Sequence, residues 1–141
     1  MEQLNKLSHS VWDCKYHIVW IPKYRGKELY GAKRRIVVDT IKQWASIKGI
    51  EIIEGHAMPD HIHLCVSIPP KYAVAHSIGL LKGKSASEVM SFGTKSSRMV
   101  RGRTFWARGY CVSTVGLDEE KVREYIRNQE KMDMLQEELA L

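Results

Sequence analysis

A ferredoxin-like α+β sandwich, in which a βαββαβ chain order builds a four-stranded antiparallel sheet and one further C-terminal helix follows, is the fold that three observations predict. Apolar residues recur at helical spacing over residues 29–48 and again from 73 to about 90. Segments rich in β-branched and aromatic residues lie at 11–21, 50–57, 61–68 and 104–115. The link Met58-Pro59-Asp60 between the second and third of these is short enough to force an antiparallel hairpin. Two helices would then cover one face of the sheet and leave the other open.

Each element has a local reason. Val11 to Ile21 reads as the first strand, with Trp12, Cys14, Tyr16, Ile18 and Trp20 on one face and Lys15, His17 and Val19 on the other. Pro22-Lys23-Tyr24-Arg25-Gly26 breaks it with a basic turn. Leu29 to Lys48 is the first helix, with Ile36, Val37, Ile41, Trp44 and Ala45 as its apolar stripe and Gly49 at the C′ position. Ile50 to Ala57 and His61 to Ile68 form the hairpin, and Pro69-Pro70 stops it. Ala73 to about Met90 is the second helix, which buries Val74, Ile78, Leu81 and Val89 and is weakened by Gly79 and Gly83. Ser91 to Arg103 is Gly/Ser-rich and basic and reads as an exposed loop; Thr104 to Val115 is the fourth strand. Asp118 is placed to cap the last helix, whose first turn carries Glu119 and Glu120 at the positive end of the dipole.

A chain of 141 residues is one domain, read here as a core over about 11–130 and an acidic helical tail over 131–141. Residues 1–117 carry 18 basic and 8 acidic side chains, whereas residues 118–141 carry 4 and 8. The basic body suits a polyanion such as nucleic acid. Cys14, Cys65 and Cys111 are widely spaced with no Cys-x-x-Cys pair, so neither a disulfide framework nor a thiolate zinc site is indicated, and a reducing cytoplasm is the expected compartment. Neither a signal core nor an apolar run long enough to span a bilayer is present, and no membrane association is expected.

The chemistry concentrates in Pro59-Asp60-His61-Ile62-His63. On a strand, His61, His63, Cys65 and Ser67 share one face while Ile62, Leu64, Val66 and Ile68 share the other. The apolar side packs on helices, which leaves the imidazoles where a metal and a substrate can reach them. On the last helix Tyr125 and Gln129 are four residues apart and lie on one face, about 6 Å apart at Cβ. If that face docks over the open side of the sheet, Gln129 can complete a metal triad with His61 and His63, and Tyr125 presents a hydroxyl beside it. Three neutral ligands would leave a divalent cation a strong Lewis acid. Taken singly, each signal has an ordinary structural reading: His-x-His as surface histidines, Tyr125 as a packing aromatic beside Val122 and Ile126, Gln129 as a solvated helix residue. His9, His17, His56 and His76 have no such spacing and are expected to carry no chemistry, although His17 shares the open face. Trp12, Trp20, Trp44 and Trp106 are expected in the core.

Four segments, Met-Pro-Asp-His-Ile-His-Leu in the hairpin, Pro-Lys-Tyr-Arg after the first strand, Phe-Trp-Ala-Arg-Gly-Tyr in the fourth strand and Tyr-Ile-Arg-Asn-Gln in the last helix, occur in an order and spacing that resembles the HUH single-tyrosine transposases of small bacterial insertion sequences. The likeness runs from about Val11 to Glu130. It implies Mg²⁺ or Mn²⁺ held by His61, His63 and Gln129, and Tyr125 as nucleophile. It further implies cleavage and rejoining of single-stranded DNA at hairpin-bearing element ends through a 5′-phosphotyrosine link, by a homodimer, without a nucleotide cofactor. Lys23, Arg25, Lys95, Arg98, Arg101, Arg103 and Arg108 are the candidate DNA contacts, since phosphate neutralisation drives such binding. The alternatives are a non-catalytic RNA- or single-stranded-DNA-binding module of the same fold, a domesticated regulator descended from such a transposase, and a His-x-His hydrolase. The first has no use for His-x-His with Tyr-x-x-x-Gln. The last needs further His or Asp ligands that the chain does not cluster.

Overall fold

The computed structural model describes residues 5–7, 9–23, 28–92 and 105–139, with side chains described between 9 and 132. The expected contacts Arg25, Lys95, Arg98, Arg101 and Arg103 lie outside the described residues. A small ribbon of β1 (Asn5–Leu7) and β2 (Ser10–Trp12) precedes β3 (Lys15–Trp20), α1 (Gly31–Ile47), β4 (Glu51–Met58), β5 (His61–Ser67), α2 (Val74–Ser91), β6 (Cys111–Ser113) and α3 (Glu119–Leu139). From β3 to β6 the order is βαββαβ, and the four strands pair antiparallel in the spatial order β4-β5-β3-β6. This is the ferredoxin-like arrangement.

Period-two alternation decides which face is buried. Ile18 and Trp20 of β3 and Ile62, Leu64 and Val66 of β5 meet Val37, Ile41 and Ala45 of α1 and Ile78, Leu81 and Val89 of α2 in the main core. Burying each of the large aliphatic side chains contributes about 1.5–3 kcal/mol. The end of α1 follows from one residue. Gly49 takes a left-handed φ of 69°, which lets its N–H donate to Ser46 O at 3.1 Å and the Ile50 N–H donate to Ala45 O at 2.8 Å. That double bond closes the helix and drops Ile50 into the core. At α3 the Asp118 carboxylate accepts the Lys121 N–H at 2.8 Å, the cap that its position predicts.

Two strands differ from expectation. The first is not continuous from 11 to 21: residues 10–12 pair with 5–7, and the chain changes partner at Asp13-Cys14 before Lys15 pairs with Ser67 of β5. The fourth shrinks from 104–115 to Cys111–Ser113, because side chains take hydrogen-bonding groups that a strand would need. Lys82 of α2 donates to Ala107 O at 3.0 Å and Gly109 O at 2.7 Å, and the Trp106 indole turns inward to donate to Lys82 O and Ser85 Oγ, each at 3.1 Å. Gly109, at φ 77°, makes the bend that this requires. Segment 105–107 stays tied to the end of β3 through Lys23 N–H to Phe105 O and Ala107 N–H to Ile21 O.

The opposite face of the sheet is not left bare. Val122 and Ile126 of α3 seat against Val19, Ile21 and Ala107 in a second, smaller apolar cluster. The acidic stretch from 131 continues the same helix as far as Leu139.

Candidate active site

Strand pairing assembles a row of imidazoles. Pro59-Asp60 is the turn between Met58 and His61, so His56 of β4 falls opposite His63 of β5, while His17 of β3 is diagonal to it. The His63 ring stands 6.0 Å from that of His17 and 6.2 Å from that of His56, centroid to centroid. Burial lowers the His63 pKa, and the nearby His17, His61 and His56 rings lower it further; Glu54 acts in the other direction. His63 is therefore held as a neutral imidazole with a lone pair to offer.

His61 is oriented by its neighbour in sequence. Its Nδ1 lies 2.8 Å from Asp60 Oδ1, and a carboxylate can only accept, so the proton sits on Nδ1 and Nε2 carries the lone pair. Among the described residues no group of three or more His, Cys, Asp or Glu side chains is placed to hold a metal. A side-chain amide is a further kind of donor, and Gln129 carries one.

The tyrosine helix lies on the same face. Val19 is the cross-strand partner of His63, and Val19 is also part of the surface on which Val122 and Ile126 sit. Tyr125 is half-buried in that cluster with its hydroxyl oxygen shielded from solvent, and Gln129 is half-buried one turn further on. The start of α3 also reaches toward the hairpin turn. The Arg123 guanidinium is held above its ordinary range first by its hydrogen bond to Glu119 and also by the Asp60 carboxylate. Tyr125 thus lies on the His61 and His63 side of the sheet, and Gln129 follows it one helical turn on.

The two described candidate DNA contacts, Lys23 and Arg108, lie near this end of the sheet. Lys23 follows β3 and is half-buried; Arg108 is exposed on the segment that Lys23 N–H binds through Phe105 O. Sequence reasoning missed three residues. Asp60 orients His61, and its adjacency was the signal. His56 joins the row, and counting back from a two-residue turn would have found it. Lys82 is half-buried, and burial pushes its pKa down to about 8; its partners are 25 and 27 residues away, so no local signal exists.

Residues 10–129 match the family model for the IS200-like transposases. The chain belongs to that family. The matched span takes in His61, His63, Tyr125 and Gln129. This IS200-like transposase is 42% identical over 136 residues to the transposase for insertion sequence element IS200 of Salmonella typhimurium, covering 96% of this chain and 89% of that one. It is 31% identical over 120 residues to the ISDra2 transposase TnpA of Deinococcus radiodurans, covering 84% and 86%. A 1.90 Å crystal structure described as a transposase from Deinococcus radiodurans superposes with a TM-score of 0.78 at 28% identity, over 89% of this chain and 97% of the other. A REP-associated tyrosine transposase solved bound to a REP hairpin shares the fold, with a TM-score of 0.56 at 11% identity over 86% and 68%.

Proposed function

We propose that this IS200-like transposase cuts and rejoins single-stranded DNA at the ends of an insertion sequence, with Tyr125 as the nucleophile. The observation that carries the reading is the seating of α3 on Val19, the cross-strand neighbour of His63, which gives a phenol and two oriented imidazoles one face of the sheet. In the forward step the Tyr125 oxygen attacks the scissile phosphorus and loses its proton. The bond from phosphorus to the 3′ oxygen breaks, leaving a 5′-phosphotyrosine and a free 3′-hydroxyl. Attack by a later 3′-hydroxyl reverses the exchange and joins strands, so no nucleotide cofactor is consumed.

His61, His63 and Gln129 would hold a divalent cation, Mg²⁺ or Mn²⁺, which when bound polarises the phosphate and offsets developing negative charge. The donor set fits: Asp60 fixes the His61 tautomer, His63 stays neutral, and Gln129 supplies an amide oxygen on the docked helix. The shielded site of Tyr125 keeps bulk water from its oxygen. The exposed Arg108 and the adjacent Lys23 would hold phosphates that flank the break, as would Arg25, Lys95, Arg98, Arg101 and Arg103. The fold-sharing transposase bound to a REP hairpin supports hairpin-bearing DNA as the partner, and two such ends call for a homodimer. Its free, half-buried cysteines suit a cytoplasmic protein, and no helix among the described residues is long and apolar enough to cross a membrane.

The test is covalent capture. With Mg²⁺ and hairpin-bearing single-stranded DNA, the wild-type protein yields an adduct that survives denaturation, and Tyr125→Phe binds the same DNA without forming it. Equal adduct in the Phe variant would assign the nucleophile elsewhere. Binding with no adduct in either protein would leave a non-catalytic DNA-binding module.

A further inference from the structure

At the end of β5 away from His61, the chain leaves the sheet through Pro69-Pro70 and turns into α2. The Tyr72 N–H donates to Pro69 O at 3.0 Å, and the half-buried ring packs against the main core, so its position is fixed. Basic groups gather on this ring. Lys71 Nζ lies 5.2 Å and Lys48 Nζ 5.8 Å from its centroid, and the His76 ring stacks on it at 6.3 Å and 29°. One turn before Lys48 on α1 is Trp44, with Lys84 Nζ of α2 4.4 Å over its ring. Among the described residues none of these lysines, nor His76, has a carboxylate within ion-pair distance. The result is a row of cations on two partly open rings, none of them ion-paired among the described residues.

Such a row meets both needs of a single nucleic-acid strand, which presents one phosphate charge per nucleotide and a flat base between charges. We propose that Lys48, Lys71 and Tyr72, continued by Trp44 and Lys84, form a second single-stranded DNA contact on the helix side of the molecule. The proposal rests on the reading that this chain acts on single-stranded DNA. Six strand steps separate His61 from Ser67, so the contact lies about 20 Å along β5 from the imidazoles. A strand cut at the histidine end is held by this row as it passes over the far end of the sheet.

The experiment measures binding of a fluorescein-labelled single-stranded oligodeoxynucleotide by anisotropy over a range of salt, for wild type, Lys48→Gln/Lys71→Gln and Tyr72→Leu. Removing two phosphate contacts shrinks the slope of log affinity against log salt by about 1.4, at roughly 0.7 per contact. Losing one stacked base in Tyr72→Leu weakens binding by about 5- to 150-fold. Slope and affinity equal to wild type in both variants would overturn the proposal. A wild type that binds DNA but makes no adduct would refute the cleavage reading, and the slopes would still decide this contact. A wild type that binds no single strand at all sinks both.

Discussion

The two faces of β5 share one backbone and serve opposite ends. Ile62, Leu64 and Val66 disappear under α1 and α2, where any apolar side chain of similar volume would keep the sheet covered. His61, His63 and Cys65 stay half-buried on the other side, flanked by His17 and His56, and there the proposed chemistry depends on the imidazoles themselves. The pleat separates folding from function with single-residue resolution. The helices differ in the same way. Those on the other face interlock with a broad core, whereas α3 sits on a small apolar patch of Val19, Ile21 and Ala107.

Adjacent substitutions therefore break the comparison most sharply. His61→Ala is expected to abolish adduct formation, and its unfolding midpoint in denaturant stays near wild type. Leu64→Ala, three residues on and facing the other way, costs about 2–5 kcal/mol of stability because it leaves a cavity under the helices. Chemical denaturation alongside the adduct assay separates the two, and equal loss of stability in both would erase the distinction between faces.

A smaller effect comes from Asp60. Asp60→Ala removes the acceptor that fixes the His61 tautomer, so Mn²⁺ affinity is expected to fall about 10- to 100-fold. Isothermal titration with Mn²⁺ reads this directly, and unchanged affinity would remove Asp60 from the site. The smallest is a pH effect. The folded His63 pKa lies below its ordinary value of 6.5, so as pH falls through that value the unfolded chain takes up this proton before the folded one does. The His63 contribution is complete above 6.5 and is drawn down on acidification; His63→Gln should flatten that part of the stability profile. A variant profile as steep as wild type would mean that the imidazole row is more open to water than its packing implies.

Much of this was legible in the sequence, for reasons that differ by residue. The alternation of β5, the glycine that ends α1 and the Asp118 cap are local patterns, and each gave the observed structure. His56 was also within reach, because a two-residue turn sets its register against His63; reading the turn as three residues hid it. The shortened fourth strand was not legible, since Lys82 and the Trp106 indole act across more than twenty residues of chain. Nor does any local pattern announce that residues 10–12 pair backward rather than continue into β3.

The central claim is that the stripe of α3 facing the histidines carries the reaction, and peptide mapping tests it most directly. The denatured protein–DNA adduct is digested with protease and nuclease, and mass spectrometry locates the remaining nucleotide. The account predicts one modified peptide, with the phosphate on Tyr125. A nucleotide on any other residue, Tyr110 or Tyr72 included, would contradict it.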